Sequence, residues 1–263
     1  MKNKLNFFRR ISQIIVVGLV AYAGIGHQVV GGGPLGSAPV DSYCPFGGLE
    51  TLFYYFKTGQ FLDKTNASNF VLLAAVIALS IIAGSAFCSW LCPLGAVQEW
   101  LAKLGKKIFG RNFNLPVKIH NPLRYLRYVS LIAIIFFTAR GSSLVFESYD
   151  PFKVLFHFNF ETTTAIVIFV LTIVLSILVE SFWCKYLCPL GAVISIFGKL
   201  NPVNIRRNQQ ECIDCGLCTK SCPTSIVVDK ETKISSSACT KCFKCIGSCP
   251  KPNALNIHLG GGR

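Results

Sequence analysis

Leu91-Cys92-Pro93-Leu94-Gly95-Ala96-Val97 recurs unchanged as Leu187-Cys188-Pro189-Leu190-Gly191-Ala192-Val193. A second cysteine stands four residues ahead of each copy's own, Cys88 and Cys184, and Lys103-Leu104 is matched by Lys199-Leu200. A long apolar run leads into both copies. The chain therefore reads as two similar halves, each a helical hairpin whose second helix ends on a C-x3-C-P motif.

An uncharged run of about 20 residues crosses a bilayer as a helix. Ile11–Val30, Phe70–Trp90 and Thr162–Val179 meet or nearly meet that length. Tyr128–Ala139 is a shorter fourth run, bounded by Arg127 and Arg140, and Arg124 and Arg127 can reach toward headgroups. The expected fold is mainly α and polytopic: four transmembrane helices as two pseudo-symmetric hairpins, related by an axis along the membrane normal. Composition agrees. The chain is 52% hydrophobic and 14% charged, against about 25% charged in ordinary soluble domains.

The net charge of +14 is distributed with a side. Lys2, Lys4, Arg9 and Arg10 open the chain without an acid, and the segment between Trp90 and Tyr128 sets seven basic residues against Glu99 alone. The stretches 31–67 and 140–161 each hold two basic and three acidic residues. A positive-inside bias explains this pattern. It places both termini in the cytoplasm, in a multi-pass protein of the inner (cytoplasmic) membrane, and needs no nucleic acid. Residues 1–30 would also suit a signal peptide, but their apolar region is longer than the usual one. Glu180, near the inner end of the last span, calls for a partner; Arg127 at matching depth is one candidate and the interface itself the other.

Residues 1–200 thus form the helical domain and 201–263 a second one. There, Cys212-x2-Cys215-x2-Cys218-x3-Cys222-Pro223 is repeated as Cys239-x2-Cys242-x2-Cys245-x3-Cys249-Pro250. Thirteen cysteines, an odd number in a largely apolar chain, do not suit a secreted disulfide scaffold. Zinc sites built on four cysteines use pairs separated by a longer loop. Two C-x2-C-x2-C-x3-C-P runs are the pattern of the bacterial two-cluster ferredoxins, α+β domains with two [4Fe-4S] clusters. In that pattern the fourth cysteine of each run ligates the other cluster. The resemblance therefore assigns Cys212, Cys215, Cys218 and Cys249 to one cluster, and Cys239, Cys242, Cys245 and Cys222 to its partner. Residues 184–263 hold eleven basic and four acidic groups. Each oxidised cluster with its four thiolates adds about −2, which leaves roughly +3 and a face for an acidic redox partner.

The paired cysteines of the halves admit two readings. Cys88 and Cys92 share one face of a helix, as do Cys184 and Cys188. Symmetry would gather the four at the cytoplasmic edge as a metal or additional iron–sulfur site, or as redox-active thiols. Alternatively, small cysteines pack helix ends that Pro93 and Pro189 terminate. Stable disulfides are disfavoured in a reducing cytoplasm.

On the outer side, Tyr43-Cys44-Pro45-Phe46 is matched by Tyr149-Asp150-Pro151-Phe152. Cys44 and Asp150 would then be symmetry mates, able to ligate a metal or take a quinol proton, or merely to begin two re-entrant turns. His27 falls near the outer end of the first span and could join them. No C-x2-C-H run exists for a c-type haem.

Together, the four expected spans, the two C-x3-C-P motifs and the ferredoxin module resemble the quinol dehydrogenase membrane subunits of the NapH and MauN type over nearly the whole chain. The resemblance implies a membrane-bound iron–sulfur electron-transfer subunit. It would pass electrons between the membrane quinone pool and a protein partner carrying iron–sulfur, haem or flavin, with quinol as substrate. Related membrane portions occur in regulators of nitrous-oxide respiration and in copper-oxidase assembly proteins. A maturation factor that reduces metal or thiol, and a membrane redox sensor, therefore stand beside the first reading.

Overall fold

In the computed structural model, which describes residues 2–30, 43–59, 67–110, 117–141, 145–146, 149–157 and 163–260, two runs of helices follow one another. The first comprises α1 (Lys2–Val30), α2 (Pro45–Thr58), α3 (Ala67–Ala83), α4 (Ala86–Trp90) and α5 (Pro93–Phe109). A short α6 (Val117–Leu123) leads to the second: α7 (Leu126–Arg140), α8 (Pro151–His157), α9 (Thr163–Leu178), α10 (Phe182–Tyr186) and α11 (Pro189–Phe197). The helix starts are dictated locally. Proline lacks an N–H and holds φ near −65°, so it fits a first turn, and α2, α5, α8 and α11 all begin on one.

The repeat governs packing as well. Helix α5 lies on α9 and, with the halves exchanged, α11 lies on α3; α2 lies on α7 as α8 lies on α1; α1 meets α5 as α7 meets α11. The halves are thus interleaved rather than set side by side. Phe46, Leu94, Leu131, Ile134, Phe146, Trp183, Ala192 and Val193 form their common core.

The expected spans are revised in length. Among the described residues, two helical stretches are long and apolar enough to cross a membrane, Leu5–Val29 and Lys118–Arg140. The second contains the run that sequence alone had as its shortest. It continues inward past Arg127 and Arg124 because Arg127 is buried within the bundle. The run Phe70–Trp90, by contrast, is not one helix. Gly84 adopts a left-handed φ of 64°, available to glycine without penalty, and ends α3 before α4 begins. Helices α3 and α9 have 17 and 16 residues, about 25 Å of rise against the roughly 30 Å of a hydrocarbon core.

Side-chain placement is inverted relative to a water-soluble bundle. Phe8, Ile14, Leu19, Tyr22 and Val29 of α1 point outward, while Arg9 and Gln13 are buried. The stretches expected as outer loops contain α2 and α8, and Pro45, Phe46, Glu50 and Thr51 of α2 are buried.

After a 3-10 turn (Gly198–Leu200), the tail builds a three-stranded antiparallel sheet from β1 (Val203–Arg207), β2 (Lys233–Ile234) and β3 (Leu255–Leu259) in the order β2-β1-β3. Ile205 faces Ile234 on one side and Ile257 on the other. Helix α13 (Lys244–Ser248) packs on β3, and α12 (Leu217–Lys220) packs on α13. Ile205, Ile226, Val228, Ile234 and Leu255 form the small core with Cys218 and Cys245.

Candidate functional site

Both cysteine runs fold alike. Asp214 and Lys241, each just ahead of the second cysteine of its run, take left-handed φ values of 48° and 50°. Gly216 and Phe243, just after that cysteine, do the same at 67° and 56°. Side chains adopt this region at a cost of about 1–3 kcal/mol, and such strain gathers at functional loops. Ser221 and Ser248, each preceding a fourth cysteine, meet across the pseudo-dyad at 2.8 Å.

One cavity in the tail is lined by Cys212, Cys215 and Cys218 of the first run and by Cys249 of the second. Arg207 reaches into the same place, 3.6 Å from the Cys212 sulfur and 3.0 Å from Asp214. Cys239, Cys242 and Cys245 lie close enough to Cys222 of the first run to interact with it electrostatically. Each group of three therefore has the other run's fourth cysteine beside it. Four thiols around one cavity fit a cubane, whose corner irons each take one thiolate.

The second run docks on α4. Ser85 and Ser89 donate to the carbonyls of Ser237 and Thr240, Trp90 Nε1 donates to the carbonyl of Lys241 at 3.1 Å, and the Trp90 ring meets Phe243 edge-on. An ion network surrounds this contact. Glu99, 5% exposed, accepts from Arg9 at 2.5 and 3.0 Å and from Gln13 at 3.0 Å. Lys103 stands 2.9 Å away and Lys244, from α13, 3.5 Å. Burial would push the Glu99 carboxyl up, but Lys244, Arg9 and Lys103 outweigh it and hold the group well below the usual carboxylate range. The partner of Glu180 is Lys244, not Arg127. The Arg127 guanidinium lies 5.0 Å over the Tyr128 ring and donates to its hydroxyl. Docking of α13 supplies a cation that no scan of the helical half alone could offer.

Between the tail and the helices lies a second cavity, lined by Cys88 and Cys184 from the halves, Cys242 from the tail, and His120, Arg127 and Lys185. Cys88 and Cys92 do not share one helix face: α4 ends at Trp90, and Cys92 caps the separate helix α5. Likewise Cys188 caps α11, beyond the end of α10. Cys92 and Cys188 are not among the residues lining this cavity. All four remain within electrostatic reach of one another. Gln98 donates to Cys184 at 3.2 Å and the Gly191 amide to Cys188 at 3.4 Å. Gly95 makes the turn feasible, since a Cβ there would run into the Cys88 carbonyl oxygen.

Cys44 and Asp150 lie within electrostatic reach of each other. Asp150 also lies within electrostatic reach of Cys92 and Cys188. Asp150, just ahead of α8, thus lies near the cysteines at the starts of α5 and α11. His27 lies half-buried in the last turn of α1.

Sequence reasoning passed over Glu50, which is 1% exposed and accepts from Thr138 at 2.6 Å and from the Phe146 amide. It also passed over the buried pair His120 and Tyr186, whose Nδ1 and hydroxyl are 2.8 Å apart. Isolated polar residues near apolar runs were their only signal.

A helical module ending in a tail with two ferredoxin-like cysteine runs defines a ferredoxin-type iron–sulfur protein. Comparison with known proteins gives the family. A model described as a 4Fe-4S binding domain matches residues 65–112 and again 162–208, so each match contains one C-x3-C-P motif, and a 4Fe-4S dicluster domain matches residues 204–250. YccM of Escherichia coli, to which electron transport is provisionally assigned, is 36% identical over 84% of this chain; the chain spans 64% of its length. An uncharacterized protein of Methanocaldococcus jannaschii is 34% identical over 79% of this chain and 83% of its own. The ferredoxin-type protein NapH of Haemophilus influenzae is 27% identical over 94% of this chain and 87% of its own. The chain belongs to the 4Fe-4S protein family that includes NapH, YccM and NosR. No solved structure matches it.

Proposed function

We propose that this protein is a membrane-bound electron-transfer subunit that takes electrons from quinol and exchanges them with a redox partner through two [4Fe-4S] clusters in its tail. Cys212, Cys215, Cys218 and Cys249 hold one cluster, and Cys239, Cys242, Cys245 and Cys222 the other. The observation that carries this reading is the tail cavity in which Cys249 joins the first run's three cysteines. Bound there, a cubane cycles between two oxidation levels one electron at a time. Arg207 supplies positive charge to the first cluster's thiolates, which favours the reduced, more negative level.

Four membrane crossings are proposed, with α3 continued by α4 and α9 by α10 across their short breaks. The outward apolar side chains and the basic inner segments support this. The start of α1 packs on α13, which favours both termini lying on one side, the cytoplasmic one. Electrons arriving from the bilayer would meet the second cluster first, because its loop sits on α4. The test is to add a reduced quinone analogue to the purified, oxidised protein under anaerobic conditions and follow the visible absorption of the clusters. Bleaching by quinol supports the reading; bleaching by dithionite alone sinks it.

A further inference from the structure

Basic side chains at the end of an apolar span reach outward to headgroups and water as a rule. In this protein three of them face inward. His120, Arg124 and Arg127 stand at spacings of four and three within the long apolar stretch Lys118–Arg140, and all three line the cavity between the tail and the helices. Arg127 and His120 are each 7% exposed. Lys185 of α10, equally buried, lines the same cavity.

These cations are short of partners. Among the described residues the Lys185 ammonium makes no hydrogen bond or ion pair, and the buried Nε of Arg127 has no acceptor. Arg127 donates to the Tyr128 hydroxyl, which Ser195 also engages, and His120 gives one ring nitrogen to Tyr186. The two carboxylates lining the cavity are committed elsewhere, Glu180 to Lys244 and Glu99 to Arg9, Lys103 and Lys244. A buried cation without a counter-charge is costly. An oxidised cluster at Cys242 adds only about −2. Lys241, 3% exposed and within electrostatic reach of Cys239 and Cys245, already answers part of that. The cavity therefore keeps an excess of positive charge.

Size narrows the occupant. The cavity measures 50 Å³, room for about four waters at roughly 10–15 Å³ each. Benzene fills an apolar cavity of about 150 Å³, so an aromatic headgroup is too large and too apolar for this one. A single tetrahedral oxyanion matches both the volume and the charge. Guanidinium N–H groups suit phosphate oxygens, and an ammonium serves as a point charge beside them. We propose that this cavity binds one phosphate-class oxyanion between Arg127, Lys185, Arg124 and His120, independently of the quinol assignment. Its source is the headgroup phosphate of an acidic lipid or inorganic phosphate. Thr240 and Cys242 of the tail line the same cavity, so the bound anion ties the tail to the helices.

The experiment uses the full chain with its clusters, purified anaerobically in detergent and washed free of lipid, and reads the midpoint of thermal unfolding. Inorganic phosphate is titrated against chloride at matched ionic strength, and phosphatidylglycerol against phosphatidylcholine in mixed micelles. A ligand of the folded state raises the midpoint saturably. A rise with inorganic phosphate identifies a free anion; a rise with phosphatidylglycerol alone identifies a headgroup. Lys185→Met abolishes the rise and, without anion, leaves the protein at least as stable as the wild type, since it removes an unpaired buried charge. Arg127→Lys keeps the charge but weakens the response severalfold. Lys106→Gln with Lys107→Gln, on the exposed face of α5, retains it in full. Wild-type protein that neither phosphate species stabilises overturns the proposal without recourse to any variant. So does a rise that survives Lys185→Met, or one that the α5 variant also removes. A Lys185→Met protein that shifts the second cluster's potential yet keeps the phosphate response gives the lysine to the cluster and overturns the proposal as well.

Discussion

Lys244 of the tail stands 3.5 Å from Glu99 of α5, and the same carboxylate is held by Arg9 of α1 at 2.5 Å. One buried acid therefore ties the first helix, the first half and the tail together. Glu99→Gln leaves the buried Arg9 guanidinium without its counter-charge, while Lys244 keeps Glu180. The expected loss is about 3–5 kcal/mol, since removal of one member of a buried pair exposes the cost of the other. Thermal unfolding of the detergent-solubilised protein measures it, and an unchanged midpoint would count against the network.

The same group sets an acid limit. The Glu99 carboxyl is depressed in the folded state by Lys244, Arg9 and Lys103 against the opposing effect of burial. Its contribution is therefore fully present above the ordinary glutamate pKa of about 4.3 and is lost as the pH falls below it. Stability against pH should show an acid-side decline that Glu99→Gln flattens. A decline of equal depth in the variant would assign it elsewhere.

Crossed ligation predicts which signal each tail variant loses. Cys249→Ala, in the second run, should remove the cluster at Cys212, Cys215 and Cys218, about four iron per chain, and spare most of the other. Cys222→Ala should do the converse. Electron paramagnetic resonance of the two variants distinguishes crossed from uncrossed sets, because uncrossed ligation reverses the two outcomes.

Arg207 donates toward the Cys212 sulfur. Its replacement by glutamine withdraws a charged donor that favours the reduced cluster. If that preference is about 1 kcal/mol, the potential falls by roughly 40 mV. A potentiometric titration should show one cluster shifted down and the other unmoved.

A methyl group at position 95 would collide with the Cys88 carbonyl. Gly95→Ala should cost about 1–3 kcal/mol by overpacking. Leu94→Ala, which only deletes buried atoms in the adjoining core, serves as the comparison for thermal unfolding.

The two halves and the tail were legible because each rests on local chemistry, exact repetition and cysteine spacing, whereas Pro93 and Pro189, read as helix stops, also open α5 and α11. Lengths were less so. Arg127 is buried inside a helix that its charge had seemed to bound, and Gly84 divides a run that composition alone left whole. Glu99 could not be read as a hub, since Arg9 and Lys244 lie 90 and 145 residues away along the chain. That Asp150 lies within electrostatic reach of Cys92 and Cys188 as well as of Cys44 is set by how the halves pack, which neither motif encodes.

Electrons are proposed to pass between bilayer and tail through the docked junction at α4. Freeze-quench paramagnetic resonance on proteoliposomes loaded with quinol tests this directly. The predicted result is that tail cluster signals grow in the wild type and grow much more slowly in Glu99→Gln with Lys244→Gln, whose iron content is unchanged. Equal rates in the two proteins, or no quinol-driven signal in either, would contradict it.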